Sequence, residues 1–275
     1  MRFGISVPNI GELDTLVTMG VEADRSGWDG FFLWDQIRLM KDVPVPVHDP
    51  WIALAAIAVR TERVRIGTLV TPLARRRPWK LARETVTLDH LSRGRVVLGV
   101  GLGYPPDAEF EPFGEDPDER VRAAKLDEGL EVLTGLWSGE PLDLEGRHFH
   151  VRGMRFDPVP VQRPRIPIWV GGMWPNRAPF RRAARFDGVV PIRVDERGEP
   201  ASLEAAELAE VVAYVRRHRR TDEPLEVVHA GVADPSAIAA SEAAGATWYL
   251  ADAGVAGAGW EEPTLELIRA RPPSP

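Results

Sequence analysis

Leu91-Ser-Arg-Gly-Arg-Val-Val-Leu-Gly-Val-Gly-Leu-Gly103 decides how the chain folds. A helix-spaced segment runs into it, and Gly94 stands where a helix end needs a residue tolerant of positive φ. Val96 to Val100 is short, β-branched and apolar on both faces, the pattern of a parallel strand covered on both sides. Gly99, Gly101 and Gly103 then strip side chains from the strand's carboxyl end, where parallel α/β proteins bind ligands. Read alone, the glycines are equally a ligand platform and a device for tight packing.

Working outward, the same alternation repeats. Val64–Val70 is the strand before it, and Arg75-Arg76-Arg77-Pro78 leads into a helix with Leu81, Thr85, Leu88 and Leu91 on one face. The arginine triplet reads as a solvated helix entry, with a phosphate contact as the alternative. Upstream, Phe3–Val7 and Gly30–Trp34 are strands, the second delivering Asp35 and Gln36 to its carboxyl end. Asp49-Pro50 opens a helix as N-cap and first residue. Downstream, Asp116 and Glu119 read as a capping box for a long helix. Residues 140–166 form an excursion in which Gly146–Val151 resembles a hairpin arm. Ile168–Val170 is expected to end at Gly171-Gly172, with Asn176 capping the next helix. Gly188–Ile192, Leu225–Val228 with His229 at its end, and Thr247–Leu250 complete eight strands. This implies an α/β fold of the closed (β/α)8 TIM-barrel type, one domain over 1–270 and a disordered tail at 271–275. The alternative is a doubly wound open sheet. Against it, Gly99, Gly101 and Gly103 miss the G-x-G-x-x-G spacing because position 104 is tyrosine.

At 275 residues, 44% hydrophobic and 27% charged, the composition is that of an ordinary globular protein. A net charge of −7 with dispersed basic residues argues against nucleic acid as a main partner. The absence of cysteine excludes disulfides, thiolate metal sites and a cysteine nucleophile. No apolar run is long enough to span a membrane, and Met1–Pro8 enters a strand without a signal-peptide core, so the expected location is cytoplasmic.

Several ordered motifs carry a resemblance. They are Ser26-Gly-Trp-Asp-Gly-Phe leading to Trp34-Asp35, Thr61-Glu-Arg-Val-Arg-Ile-Gly-Thr68, and Leu88-Asp-His-Leu-Ser-Arg-Gly-Arg95 with its glycine strand end. Pro158-Val-Pro-Val-Gln-Arg-Pro-Arg-Ile-Pro-Ile168, Gly171-Gly172 and Ala183-Ala-Arg-Phe-Asp-Gly188 follow. Over residues 1–192 the chain resembles the bacterial luciferase-like family of flavin- or deazaflavin-dependent oxidoreductases. The resemblance implies a barrel that binds flavin mononucleotide (FMN) or the deazaflavin coenzyme F-420 at its carboxyl face, acts on a small organic substrate, and forms a homodimer. It also implies a non-proline cis peptide at Leu69-Val70, with Thr68 beside it, under the ring, and a phosphate loop at Gly171-Gly172. Gly101 and Gly103 would wall the cofactor. Arg193, just beyond the sixth strand, is read equally as a counter-charge to the phosphate and as an exposed loop arginine.

Family members that oxidise sugar phosphates or alcohols share Asp35 but often carry histidine at the Gln36 position and glutamate at the Tyr104 position. Glutamine has no titratable proton in range, so it cannot be a general base. It remains a hydrogen-bonding group for ring or substrate, and His48 and His229 are the replacement bases to test. His48 and Tyr104 are expected to face substrate. A second function class is a non-catalytic protein that keeps the fold and the ligand. A phosphate-sugar lyase would need a strand-end lysine, whereas Lys41, Lys80 and Lys125 fall in expected loops or helices. No H-E-x-x-H-type spacing suggests a metal enzyme.

Overall fold

The computed structural model describes residues 1–39, 44–196, 200–251 and 259–273; Lys41 and the last two tail residues lie outside them. The barrel strands are β1 (Arg2–Val7), β2 (Gly30–Leu33), β3 (Arg65–Pro72), β4 (Val96–Gly101), β5 (Ile168–Trp174), β6 (Gly188–Val194), β7 (Glu226–Gly231) and β8 (Trp248–Ala251). The helices behind them are α1 (Leu13–Ser26), α2 (Pro50–Ala58), α3 (Pro78–Ser92), α4 (Glu119–Trp137), α5 (Ala178–Ala183), α6 (Ala205–His218), α7 (Pro235–Ala243) and α8 (Glu261–Arg269). All eight strands pair in parallel, and β6 pairs with β7 through Gly188↔Glu226 and Val189↔Val227. That last pairing closes the ring and excludes the open sheet.

Strand alternation divides the core. Phe32, Val97, Trp169, Val228, Trp248 and Leu250 point inward and fill the barrel, while the other parity packs on the helices. The rings of Phe32 and Trp169, and of Trp169 and Trp248, lie 5.3 Å apart, so the interior is a packed core with no channel.

The amino-terminal loops are held by polar clasps built from the very motifs that carry the resemblance. Arg95 Nη1 donates to the Val64 carbonyl and Thr61 hydroxyl at 2.8 and 2.9 Å, and its Nη2 donates to the Ala58 and Thr61 carbonyls at 3.0 and 2.9 Å. It thus satisfies the open carbonyls after α2. Buried Asp89 accepts from the Val161 and Gln162 amides and from the Gln162 side chain. Asp24 accepts from the amides of Glu62, Arg63 and Val64, which holds its pKa below the usual carboxylate range despite the opposing effect of burial.

Three local expectations change. Asp118, one residue before the helix, is the N-cap of α4; Asp116 instead accepts from the Asp118 amide at 2.9 Å. Pro117 lies between them, and a cap oxygen must sit next to the first free helical amides. Strand β5 does not stop at Gly171-Gly172 but runs to Trp174, because both glycines still pair with Val190 and Pro191 of β6. Asn176 accepts from the Ala178 amide at 3.1 Å, but the N-cap position of α5 is held by Arg177, whose side chain makes no capping bond. The excursion is a hairpin of Leu142–Glu145 and His150–Met154.

Candidate active site at the carboxyl end of the barrel

The mouth is shaped by an extra residue in β3. Its pairing with β4 steps from Thr68↔Leu98 to Thr71↔Val100, three residues against two. The Leu69-Val70 peptide within this step is cis, as the resemblance implied. Leu69 joins the barrel-interior cluster, and half-buried Val70 packs above it with Val190 and Ala230.

The glycines of β4 make room for that step. A Cβ on Gly99 would fall inside the Thr68 carbonyl oxygen, and one on Gly101 would lie 2.5 Å from a Val70 methyl. On β5, a Cβ on Gly171 would lie 3.0 Å from the other Val70 methyl. Gly103 has φ +82° and backs onto Pro72 and Phe110. Gly101 and Gly103 therefore accommodate neighbouring protein, as the packing reading of the opening stretch requires. Val70 then lies across the mouth as an apolar platform between β4 and β5.

Beneath the platform runs a buried polar chain. Thr68 and Thr71 share a hydroxyl hydrogen bond of 2.9 Å, and Thr71 donates to Asp35 Oδ2 at 2.7 Å. Asp35 Oδ1 accepts from Arg75 at 2.9 Å and Arg76 at 2.7 Å. Arg75 Nε also donates to Glu109 at 2.9 Å, and the other Glu109 oxygen accepts from the Ile37 amide at 2.8 Å. Burial raises the Asp35 pKa, but two guanidiniums outweigh it and hold the carboxyl below its ordinary range. Glu109 shares a single guanidinium, so burial wins and its pKa is raised. The arginine triplet is thus no simple solvated entry: the Arg75 side chain is 5% exposed and spent on this chain. Sequence reasoning missed Glu109, six residues after Gly103, because nothing local announces its partner.

Buried Asn9 joins two further residues. Its side chain donates to the Gln36 and His48 carbonyls at 2.8 and 2.6 Å and accepts from the Gln36 amide at 3.2 Å. Gln36 is thereby fixed at the rim, and its carboxamide oxygen is shielded from solvent with no hydrogen-bond partner. His48 Nε2 donates to the Gly11 carbonyl at 2.9 Å. Tyr104 is 44% exposed on the rim. Behind it, Arg122 donates to the Leu102 and Gly103 carbonyls at 2.9 and 2.8 Å.

Three expected site residues have partners within the protein. His229 follows inward-facing Val228 and so points outward into the helical layer, where Nε2 donates to the Leu203 carbonyl at 2.9 Å. Desolvation holds its pKa below the imidazole range; neutral, its Nδ1 accepts from the Ser241 hydroxyl at 2.8 Å. Arg193 donates to the Ser202 carbonyl at 2.9 Å and pairs loosely with Glu204 and Glu207 at the start of α6. Gly172 lies within β5, where a Cβ would sit 2.5 Å from Pro179, so the glycine pair does not form the expected strand-to-helix turn. Replacing His229 with phenylalanine is expected to cost about 1–3 kcal/mol by stranding the Leu203 and Ser241 partners, without changing ligand affinity at the mouth. Because the folded pKa lies below the ordinary 6.5, the native contribution is present above that value and lost as pH falls below it. Urea midpoints across that window, alongside ligand titrations, check both; a selective loss of ligand binding would return His229 to the site.

A family model described as luciferase-like monooxygenase matches residues 1–266. The chain belongs to this family. Among relatives, an F420-dependent glucose-6-phosphate dehydrogenase from Microbacterium testaceum is 36% identical over 62% of this chain and 50% of its own length. One from Gordonia bronchialis is 31% identical over 71% of this chain and 59% of its own. The chain thus spans about half to three-fifths of these relatives. Two solved structures share the fold: the coenzyme F420-dependent tetrahydromethanopterin reductase of Methanopyrus kandleri (TM-score 0.76, 16% identity, 98% of both chains) and a monooxygenase of Streptomyces bottropensis (TM-score 0.73, 22% identity, 98% of this chain and 97% of the other). No described helix is long and apolar enough to cross a membrane.

Proposed function

We propose that the protein is an oxidoreductase that holds a deazaflavin or flavin on the Val70 platform and exchanges hydride with a small organic substrate there. The observation that carries the reading is the apolar platform of Leu69 and Val70 on β3, together with the unpartnered acceptor of Gln36 just after the neighbouring strand β2. A buried acceptor without a donor costs about 1–3 kcal/mol, which a ligand N–H at the rim would relieve. Both cofactors present a flat ring with an imide N–H, so the residues present fit either. Bound there, either cofactor would supply the redox chemistry, while the protein orients the ring and excludes water.

The finer reading is coenzyme F-420, supported by the F420-dependent relatives at 31–36% identity. Asp35 serves this site as a positioning residue: through Thr71 and Thr68 it steadies the β3 step that carries Val70. Gly171 and the start of α5 remain the region assigned to the cofactor's phosphate, with His48 and Tyr104 on the substrate side. With glutamine at position 36 and no free carboxylate at Tyr104, the substrates favoured are those that need no protein base. A homodimer is the proposed assembly, supported by apolar surface on α2 and its C-cap, where Ile52 is 68% and Val59 62% exposed.

The test is fluorescence quenching of FMN and of F-420 by the protein. Binding of at least one with a dissociation constant below roughly 100 μM is expected. Failure of both sinks the reading. Binding of a reduced cofactor that no substrate panel ever reoxidises would instead indicate a ligand-binding protein without turnover.

A further inference from the structure

Arg75, which pairs with Asp35, also borders a cavity of about 220 Å³. It is lined by Arg75, Arg76, Arg77, Lys125, His148 and Glu115, with Ala74 and Phe149. Four segments build it: the loop after β3, the loop before α4 with Glu115, the first half of α4, and the turn of the 140–166 hairpin. The hairpin turn is clamped by Glu128 of α4, which accepts from the amides of Arg147, His148 and Phe149 at 3.1, 2.7 and 3.1 Å. That clamp sets His148 and Phe149 against the arginine triplet.

Charge and hydrogen bonding in the cavity do not balance. Arg75 and Arg76 are matched by Asp35 and Glu109 behind the wall. Lys125 is matched by Glu115 at 2.9 Å, and Arg76 reaches Asp49 only at 3.6 Å. Arg77 has no ion pair among the described residues; its guanidinium lies 5.9 Å from the Trp79 ring. Two nitrogens on the wall, Nε of Arg76 and Nε2 of His148, are buried without a hydrogen-bond partner. Buried donors are satisfied in folded proteins with few exceptions, and those exceptions call for a ligand or an ordered ion. The volume equals roughly seven waters at about 30 Å³ each, below the usual range for a whole small-molecule ligand. An anionic group with little attached to it fits; an entire cofactor does not.

We infer that this cavity binds a phosphate-type oxyanion, with Arg77, Lys125, Arg76 and His148 as its donors. The inference does not depend on which cofactor, if any, occupies the mouth. The oxyanion is either a free anion or the phosphate end of a ligand whose body lies in the mouth. The experiment is calorimetric titration of the full chain with inorganic phosphate, repeated in the presence of saturating FMN. Saturable phosphate binding is expected, weakened at least roughly tenfold in Arg77→Ala and in Lys125→Ala. In His148→Phe, which keeps the ring's bulk and removes its nitrogens, a similar loss is expected. Arg77 is exposed, so its variant tests the site without threatening the fold. Displacement of phosphate by FMN assigns the site to the mouth ligand's phosphate in place of the Gly171 region; undiminished binding assigns it to a free anion. No saturable phosphate binding, or wild-type affinity in both Arg77→Ala and Lys125→Ala, overturns the site.

Discussion

Asp35→Asn is expected to destabilise the protein by about 3–5 kcal/mol, the usual cost of removing one partner from a buried ion pair. The carboxylate is the shared acceptor for Arg75 and Arg76, and the neutral amide would leave one guanidinium uncompensated. Its other oxygen accepts from Thr71, so the same change loosens the hydroxyl chain beneath the β3 step. The pH dependence has a definite sign. The folded pKa lies below the ordinary 3.8, so the ion pair's contribution is complete above that value and lost as pH falls through the folded pKa. Urea unfolding of both proteins between neutral and acid pH checks this. The gap should be largest at neutral pH and narrow toward the acid end; a constant gap, or one under about 1 kcal/mol, would contradict the buried pair.

The second large effect is Gly99→Ala. Its new methyl would meet the Thr68 carbonyl oxygen, a backbone atom fixed in the barrel, and Leu69 at 2.7 Å. Overpacking costs about 1–3 kcal/mol where side chains can yield, and more is expected where only the strand can move. Gly101→Ala is the contrast, because the atom it meets is the Val70 methyl at 2.5 Å. Combining Gly101→Ala with Val70→Ala should recover most of the stability lost by Gly101→Ala alone. No such rescue is expected when Gly99→Ala is combined with Leu69→Ala. Thermal denaturation of the four variants decides it; rescue in both pairs would show that β3 adapts and that the glycines are not needed for packing.

These two predictions also mark how far the sequence could be read. The eight strands were legible because continuous apolar runs between helix-spaced segments admit few other arrangements, and the missing phosphate-turn spacing spoke against an open sheet. The family motifs were legible too, yet most of their polar residues work at the amino-terminal loops. Arg95, Asp89 and Asp24 clasp backbone there. They therefore report the barrel more directly than its chemistry, as expected for the face of a TIM barrel that serves stability. His229 misled because a strand-end position says nothing about which parity faces the mouth when the strand's exit is not known.

Local pattern alone determined the β/α alternation and the place of Leu69-Val70 at the carboxyl end of its strand, while the β6–β7 pairing decided the barrel over the open sheet. The first two rest on periodicity and short-range backbone preference, which are written residue by residue. Only the tertiary structure decided what the glycines of β4 accommodate, and that Asp35 holds Arg75 and Arg76. It alone joined Glu109 to that chain and brought His148 and Lys125 to the arginine triplet. Each of those outcomes joins segments tens of residues apart, and a buried charge or a missing Cβ finds its meaning only in the partner that packing brings to it.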